Sequence, residues 1–207
     1  KGNLHTSALL REVLKKESGL RGNGILSHVG ILKSGDFRKT FLITDAGLNM
    51  YPDLEMKVHL IENAVKAAKG IGICHPKVAA LAAVEVVNPK MQATLDAALL
   101  TVMNQRGQIL GCEVDGPLAM DLAVSQEAAH LKKINSPVAG QADILLMHDI
   151  EMANATLKAL TFAGGYLLGG VIMGASVPIA MTSRADQAES RLYSIACAAA
   201  ICKRKGE

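Results

Sequence analysis

From Ala159 to Ser183 the chain carries no formal charge, and Arg184 follows at once. So long an uncharged run must be hidden from water, either in a bilayer or in a protein core, and its punctuation decides between the two. A membrane-spanning helix needs roughly 20 unbroken apolar residues. Here Gly164, Gly165, Gly169, Gly170, Gly174 and Pro178 cut the run into short pieces. Two buried strands, "GGVIM" and "PIAM", fit that punctuation better than one long helix, so no membrane span is expected. The rest of the chain must therefore supply layers that cover them.

The remaining sequence has the pattern to do so. A helix is expected near Ser7 to Glu17, then strands in "ILSHVGIL" and "TFLIT" and a helix from about Asp53 to Ala68. "KVAALAAVEV" leads to a helix near Met91 to Asn104, "ILGCEV" to one near Leu118 to Leu131, and "ADILLM" to one near Ile150 to Phe162. The two strands of the uncharged run come next, and a last helix covers about Ala185 to Lys203. Strands alternating with helices predict an α/β fold. Because the strands are apolar on both faces, the sheet should be mostly parallel and covered by helices on both sides.

Composition narrows the function. With 50% hydrophobic and 20% charged residues the chain is globular rather than disordered. A net charge of +3 and only 3% aromatic residues, with no Trp, give neither a basic groove nor a stacking platform, so nucleic acid is not an expected partner. Cys74, Cys112, Cys197 and Cys202 lack metal-type spacing and no secretory leader precedes them, which points to the cytoplasm. The six histidines show no ligand spacing, and each reads as a surface or core residue. GxGxxG, P-loop and GxSxG motifs are absent.

In parallel α/β sheets ligands gather at the carboxyl ends of strands, and several of those ends carry polar clusters. "FLITDAGLNMYP" contributes Asp45 and Asn49, "VEVVNPKM" contributes Lys90, "GCEVDGPLAMD" contributes Asp115, and "LLMHDIEMANATLK" contributes Asn154. Turn-making and helix capping account for each cluster taken alone. Their recurrence on one edge is what makes them candidate binding residues.

"MTSRADQAESR" says more. Ser183 and Asp186 fit a capping box, which leaves Arg184 unexplained, since a cation at a helix start is unfavourable. An external anion between the arginine and the free amides resolves this, and a guanidinium offers a phosphate two parallel donors. A second candidate anion site lies in "KGNLHTSALLREVL", with Thr6 or Ser7 as cap and Arg11 about a turn inside.

These segments carry a resemblance. "PVAGQADILLMHDIEMANATLKALTFAGG" running into "GASVPIAMTSRADQAESRLYSIA" resembles the C-terminal portion of the phosphate acetyl/butyryl transferase family. "KGNLHTSALLREVL", "TDAGLNMYPDLEMK", "VNPKM" and "VDGPLAMDLAVS" also match in order and place the chain nearest its butyryl branch. The resemblance covers essentially the whole chain and implies that roughly the first third of such an enzyme lies ahead of it.

Fold and chemistry are both implied by that resemblance. It implies a three-layer α/β/α fold of the isocitrate/isopropylmalate dehydrogenase type, in a homodimer with the active site between two domains. It assigns residues 1–25 and 174–207 to the first domain and 26–173 to the second, which dimerises. The implied reaction is reversible acyl transfer, in which butyryl-CoA and phosphate give butyryl phosphate and coenzyme A. By the same implication coenzyme A is a substrate, and neither a metal nor a cofactor is required. Ser183 and Arg184 match the family's active-site pair and Arg11 a phosphate-side arginine.

Two departures stand out. Ser190 follows Glu189 where the acetyl branch has aspartate, so Glu189, Asp186 or Asp115 is left as the base, or the thiolate forms without one. In "HDIEMAN", His148, Met152 and Ala153 replace the usual Pro, Ala and Gly. Two rival classes are a non-catalytic dimeric binding or regulatory module on the same fold, and a dehydrogenase of that fold. The dehydrogenase needs more metal-binding aspartates than Asp115 and Asp121.

Overall fold

The computed structural model describes residues 5–22, 24–34, 39–183 and 185–203. Helices α1 (Thr6–Leu14), α2 (Leu54–Gly70), α3 (Gln92–Gln105), α4 (Met120–Val124), α5 (Gln126–Leu131), α6 (Ile150–Lys158) and α7 (Ala188–Lys203) surround one sheet. Its strands are β1 (Ser27–Lys33), β2 (Thr40–Thr44), β3 (Lys77–Leu81), β4 (Glu113–Leu118), β5 (Ile144–Leu146), β6 (Leu167–Met173) and β7 (Ile179–Ala180). They lie side by side in the order β4-β3-β5-β2-β1-β6-β7.

β4, β3, β5 and β2 are mutually parallel. β1 runs antiparallel to β2 and to β6, and β7 antiparallel to β6, so only β1 and β7 oppose the common direction. The sheet is thus mixed, with most of its strands parallel.

Period-two alternation sorts each buried strand between two cores. Val29, Ile31, Leu42, Val78, Ala80, Ile144 and Leu146 face Leu60, Ile61 and Ala64 of α2, Leu100 of α3 and Ile201 of α7. Leu32, Ile43, Ala79, Leu81, Leu145 and Met147 face Leu122 and Ala123 of α4 and Ala153 and Leu157 of α6. A strand that must satisfy both layers cannot show polar alternation, which is why these segments read as continuous apolar runs. Each fully buried aliphatic side chain contributes roughly 1.5–3 kcal/mol.

The uncharged run divides as its glycines predict, into β6 and β7 after a π-helical turn, Ala159–Ala163. No helix among the described residues is long and apolar enough to cross a membrane. The expected domain boundary at 174 falls between β6 and β7, which pair in the same sheet.

Several boundaries differ from expectation. β4 begins at Glu113 and carries Asp115 and Gly116 inside the strand, whereas the sequence pattern places them just beyond one. The helix expected over 118–131 is two helices, because extended Ser125 breaks it and its Oγ accepts the Ala128 amide at 3.2 Å to start the second. α7 begins at Ala188, not at Ala185.

Candidate functional site

A cleft of about 210 Å³ opens beside the carboxyl end of β2 and the middle of β6, on the α6 side of the sheet. Its walls come from distant segments: Thr6 of α1, His28 of β1, Ala46 and Gly47 after β2, and Asn154, Leu157 and Lys158 of α6. Thr161, Phe162, Leu168 and Gly170 add to them, and Met181, Thr182, Ser183 and Asp186 between β7 and α7 close the far side. The lining combines apolar side chains with hydroxyls, an amide, a carboxylate and an ammonium group.

Asp45 and Asn49 do not line the cleft themselves but brace the loop that does. Asp45 is 2% exposed. Its Oδ1 accepts the amides of Gly47 and Leu48 at 2.8 and 3.0 Å, and its Oδ2 accepts the Asn49 amide at 3.3 Å. Asn49 Nδ2 donates to Asp45 Oδ2 at 2.6 Å and to the Leu26 carbonyl at 2.9 Å. Asn154 Nδ2 ties the same loop to α6 by donating to the Ala46 carbonyl at 3.1 Å. Asp149 caps α6 by accepting the Met152 amide at 2.8 Å, which sets where Asn154 and Lys158 emerge.

Ser183 lies in a tight turn that precedes α7 instead of starting it. The Ser183 amide donates to Asp186 Oδ2 at 2.7 Å, as a capping box requires, while Ser183 Oγ accepts the Ala185 amide at 3.4 Å. Arg191 reaches back to the Asp186 carbonyl at 2.9 Å and braces the turn from inside the helix. Arg184 lies outside the described residues.

The structure brings Thr6, Asn154 and Ser183 together in the cleft and leaves other candidates elsewhere. Glu189 faces an adjoining hollow of about 460 Å³ that shares Thr161, Phe162 and Asp186 with the cleft. Ser7 and Arg11 are exposed on α1 and do not line either space. Asp115 lies far from the cleft within the chain. It sits in edge strand β4, where its carboxylate accepts the Gly116 amide at 2.9 Å. Five strand spacings separate β4 from β6 in the sheet order, roughly 24 Å, so Asp115 does not join Ser183 within the chain. Lys90, exposed in the turn before α3, is likewise outside the cleft.

Residues that sequence reasoning missed fill these places. His28, read as an ordinary surface or core histidine, lines the cleft; burial pushes its pKa down, against opposing pulls from Asp45 and Asp186. Lys158, Thr161 and Thr182 are also in the walls. A histidine inside an apolar strand was the available signal for the first, and the others had none. Two of the thiols are poorly suited to attack: burial pushes the Cys112 thiol up to about 11 and raises Cys197. Among the described residues no three His, Cys, Asp or Glu side chains gather as a metal-binding group.

The "HDIEMAN" departures have a structural use. His148 Nδ1 lies 3.0 Å from Lys57 Nζ, whose ammonium also bonds Asp96 Oδ2 at 2.5 Å. Burial first, and then the Lys57 charge, pushes the pKa of His148 down. Ala153 is fully buried in the α6-side core, so its methyl group does not enter the cleft.

The chain matches the family model "Phosphate acetyl/butaryl transferase" over residues 1–199. It is 49% identical over 205 residues to the phosphate butyryltransferase of Clostridium acetobutylicum, covering 99% of the chain and 68% of that protein. It is 48% identical over 199 residues to the phosphate acetyltransferase of Thermotoga maritima, covering 96% of the chain and 68% of the relative. The crystal structure of a branched-chain phosphotransacylase from Enterococcus faecalis superposes with a TM-score of 0.90 at 39% identity, covering 98% of the chain and 72% of that structure. The chain therefore belongs to the phosphate acetyl/butyryl transferase family.

Proposed function

We propose that the protein is a phosphate acyltransferase that moves a short or branched acyl group between coenzyme A and phosphate, with butyryl as the preferred group. The observation that carries the reading is the mixed lining of the cleft, which brings Thr6, Thr182, Ser183, Asp186 and Lys158 together with Leu157, Phe162, Leu168 and Met181. The polar groups suit a phosphate, and the apolar ones give a short alkyl chain somewhere to be buried.

In the direction that makes the thioester, the coenzyme A sulfur attacks the acyl carbonyl carbon and the carbon–oxygen bond to phosphate breaks. The thiol, with a pKa near 8.5, must lose its proton on the way. Asp186 lines both the cleft and the adjoining hollow and Glu189 the hollow alone, so one of these two takes that role in preference to Asp115. The Ser183 hydroxyl donates to the oxyanion, and Lys158 with Arg184 balances the phosphate charge, while Arg11, outside the cleft lining, adds only longer-range positive potential from α1. Coenzyme A is a substrate, and the chemistry draws on no prosthetic group.

The same reading makes the protein a cytoplasmic homodimer. All four cysteines are free, as a reducing compartment keeps them. Leu99, Val102 and Leu110 are 49%, 48% and 73% exposed, an apolar set suited to a subunit contact. The two domains are proposed to divide at residues 25 and 174, with the cleft between them.

The test is release of free thiol from butyryl-CoA with and without phosphate, for the protein and for Arg184→Ala. Phosphate-dependent release that the variant loses is expected. No release from acetyl-, butyryl- or isobutyryl-CoA by folded protein overturns the proposal and leaves a binding module on an enzyme's fold.

A further inference from the structure

We propose that His28 donates a hydrogen bond from Nε2 to an oxygen of the acyl phosphate held in the cleft, a role that rests on the acyl-transfer reading above. The residue sits in β1, between β2 and β6, with only 8% of its surface exposed. Two glycines clamp its ring. A Cβ on Gly47 would lie 3.3 Å from the His28 Cγ, and one on Gly170 would lie 3.2 Å from Nε2. Both glycines line the cleft, so the ring is held at its wall with Nε2 on the Gly170 side.

Nδ1 is the buried side-chain nitrogen that has no hydrogen-bond partner among the described residues. A histidine kept only for packing normally anchors its ring by a bond from Nδ1 to a carbonyl or carboxylate. A buried N–H without an acceptor costs more than a buried lone pair without a donor. The proton therefore resides on Nε2, beside the cleft, and Nδ1 keeps its lone pair. The charged groups that face the ring are Asp45 and Asp186, and neither holds it by a hydrogen bond. Asp45 spends both carboxylate oxygens on the Gly47, Leu48 and Asn49 groups, and Asp186 Oδ2 accepts the Ser183 amide. Burial keeps the ring uncharged, which leaves one N–H free for an external oxygen. A fixed donor in a partly dry cleft is worth most when that oxygen gains negative charge during acyl transfer.

Nitrogen NMR of protein labelled at histidine, read with and without butyryl phosphate, tests the proposal together with kinetics of His28→Gln and His28→Leu. Gln places an amide N–H near Nε2, and Leu removes it. The expected spectrum shows the proton on Nε2 and an Nε2 resonance that moves when butyryl phosphate is added. Gln is expected within about tenfold of wild-type kcat and Leu about 10²–10³-fold lower, with little change in KM. A proton on Nδ1, an Nε2 resonance unmoved by saturating butyryl phosphate in a working enzyme, or full kcat in folded Leu variant overturns it. Should the Leu variant not fold, the wild-type spectrum and the Gln variant decide. Wild-type protein that releases no thiol and whose spectrum ignores butyryl phosphate overturns the acyl-transfer reading and this role together, whereas active wild type with an indifferent His28 overturns this role alone.

Discussion

Asn49 Nδ2 stands between Asp45 Oδ2, at 2.6 Å, and the Leu26 carbonyl, at 2.9 Å, and so fastens the loop after β2 to the residues that lead into β1. The loop supplies Ala46 and Gly47 to the cleft wall. Asp45→Ala strips the acceptor from three loop amides in a site that is nearly dry. It is expected to lower stability by about 3 kcal/mol and to raise KM for the acyl substrate. Urea unfolding and steady-state kinetics check both parts, and an unchanged urea midpoint refutes the bracing role.

Lys57 and Asp96 form a buried ion pair whose side chains are 2% and 8% exposed. Removing one partner leaves the other charge stranded, so Lys57→Met is expected to cost about 3–5 kcal/mol. Replacing both, Lys57→Met with Asp96→Leu, should recover much of that loss, because the desolvation of two charges disappears with them. A double-mutant cycle by chemical denaturation measures the recovery.

Gly170 leaves no room for a side chain: a Cβ there would come 2.1 Å from the Met181 carbonyl oxygen. The clash is with backbone that cannot rotate away, on the segment whose Met181 amide donates to the Gly170 carbonyl at 2.9 Å. Gly170→Ala is expected to cost about 3 kcal/mol and to lower acyl transfer by displacing Ser183. Thermal unfolding and thiol release should fall together; activity intact in a destabilised variant argues against the coupling.

His28 and His148 both have pKa values pushed below the ordinary histidine range by burial. In the unfolded chain each binds a proton near pH 6.5, while in the folded protein each stays neutral to lower pH. The unfolded state therefore binds more protons in that window, and stability rises with pH there. This contribution is fully present above about pH 6.5 and is lost as pH falls through that value toward the lowered folded values. The urea midpoint is expected to drop between pH 7 and 5, before carboxylates titrate, and His28→Gln and His148→Gln should each flatten the slope. A midpoint flat over that range contradicts the shifts.

The sequence by itself determined the layered α/β fold, because apolar runs with no polar face can be satisfied only by helices on both sides of a sheet. It also determined the family, through "VDGPLAMD", "DIEMANATL" and "SVPIAMTSRADQAESR", and it identified Ser183 and Asn154 as candidate site residues. Which candidates meet was decided only in three dimensions. Asp45, Asp115 and Asn154 each looked like polar residues leaving a strand, yet one is consumed by its own loop, one sits on the far edge, and one reaches the cleft. Strand order, which local pattern does not encode, set those distances. His28 was hidden for a related reason. In one dimension it is a histidine in an apolar strand, and its meaning depends on two glycines from elsewhere and on a nitrogen that finds no partner among the described residues.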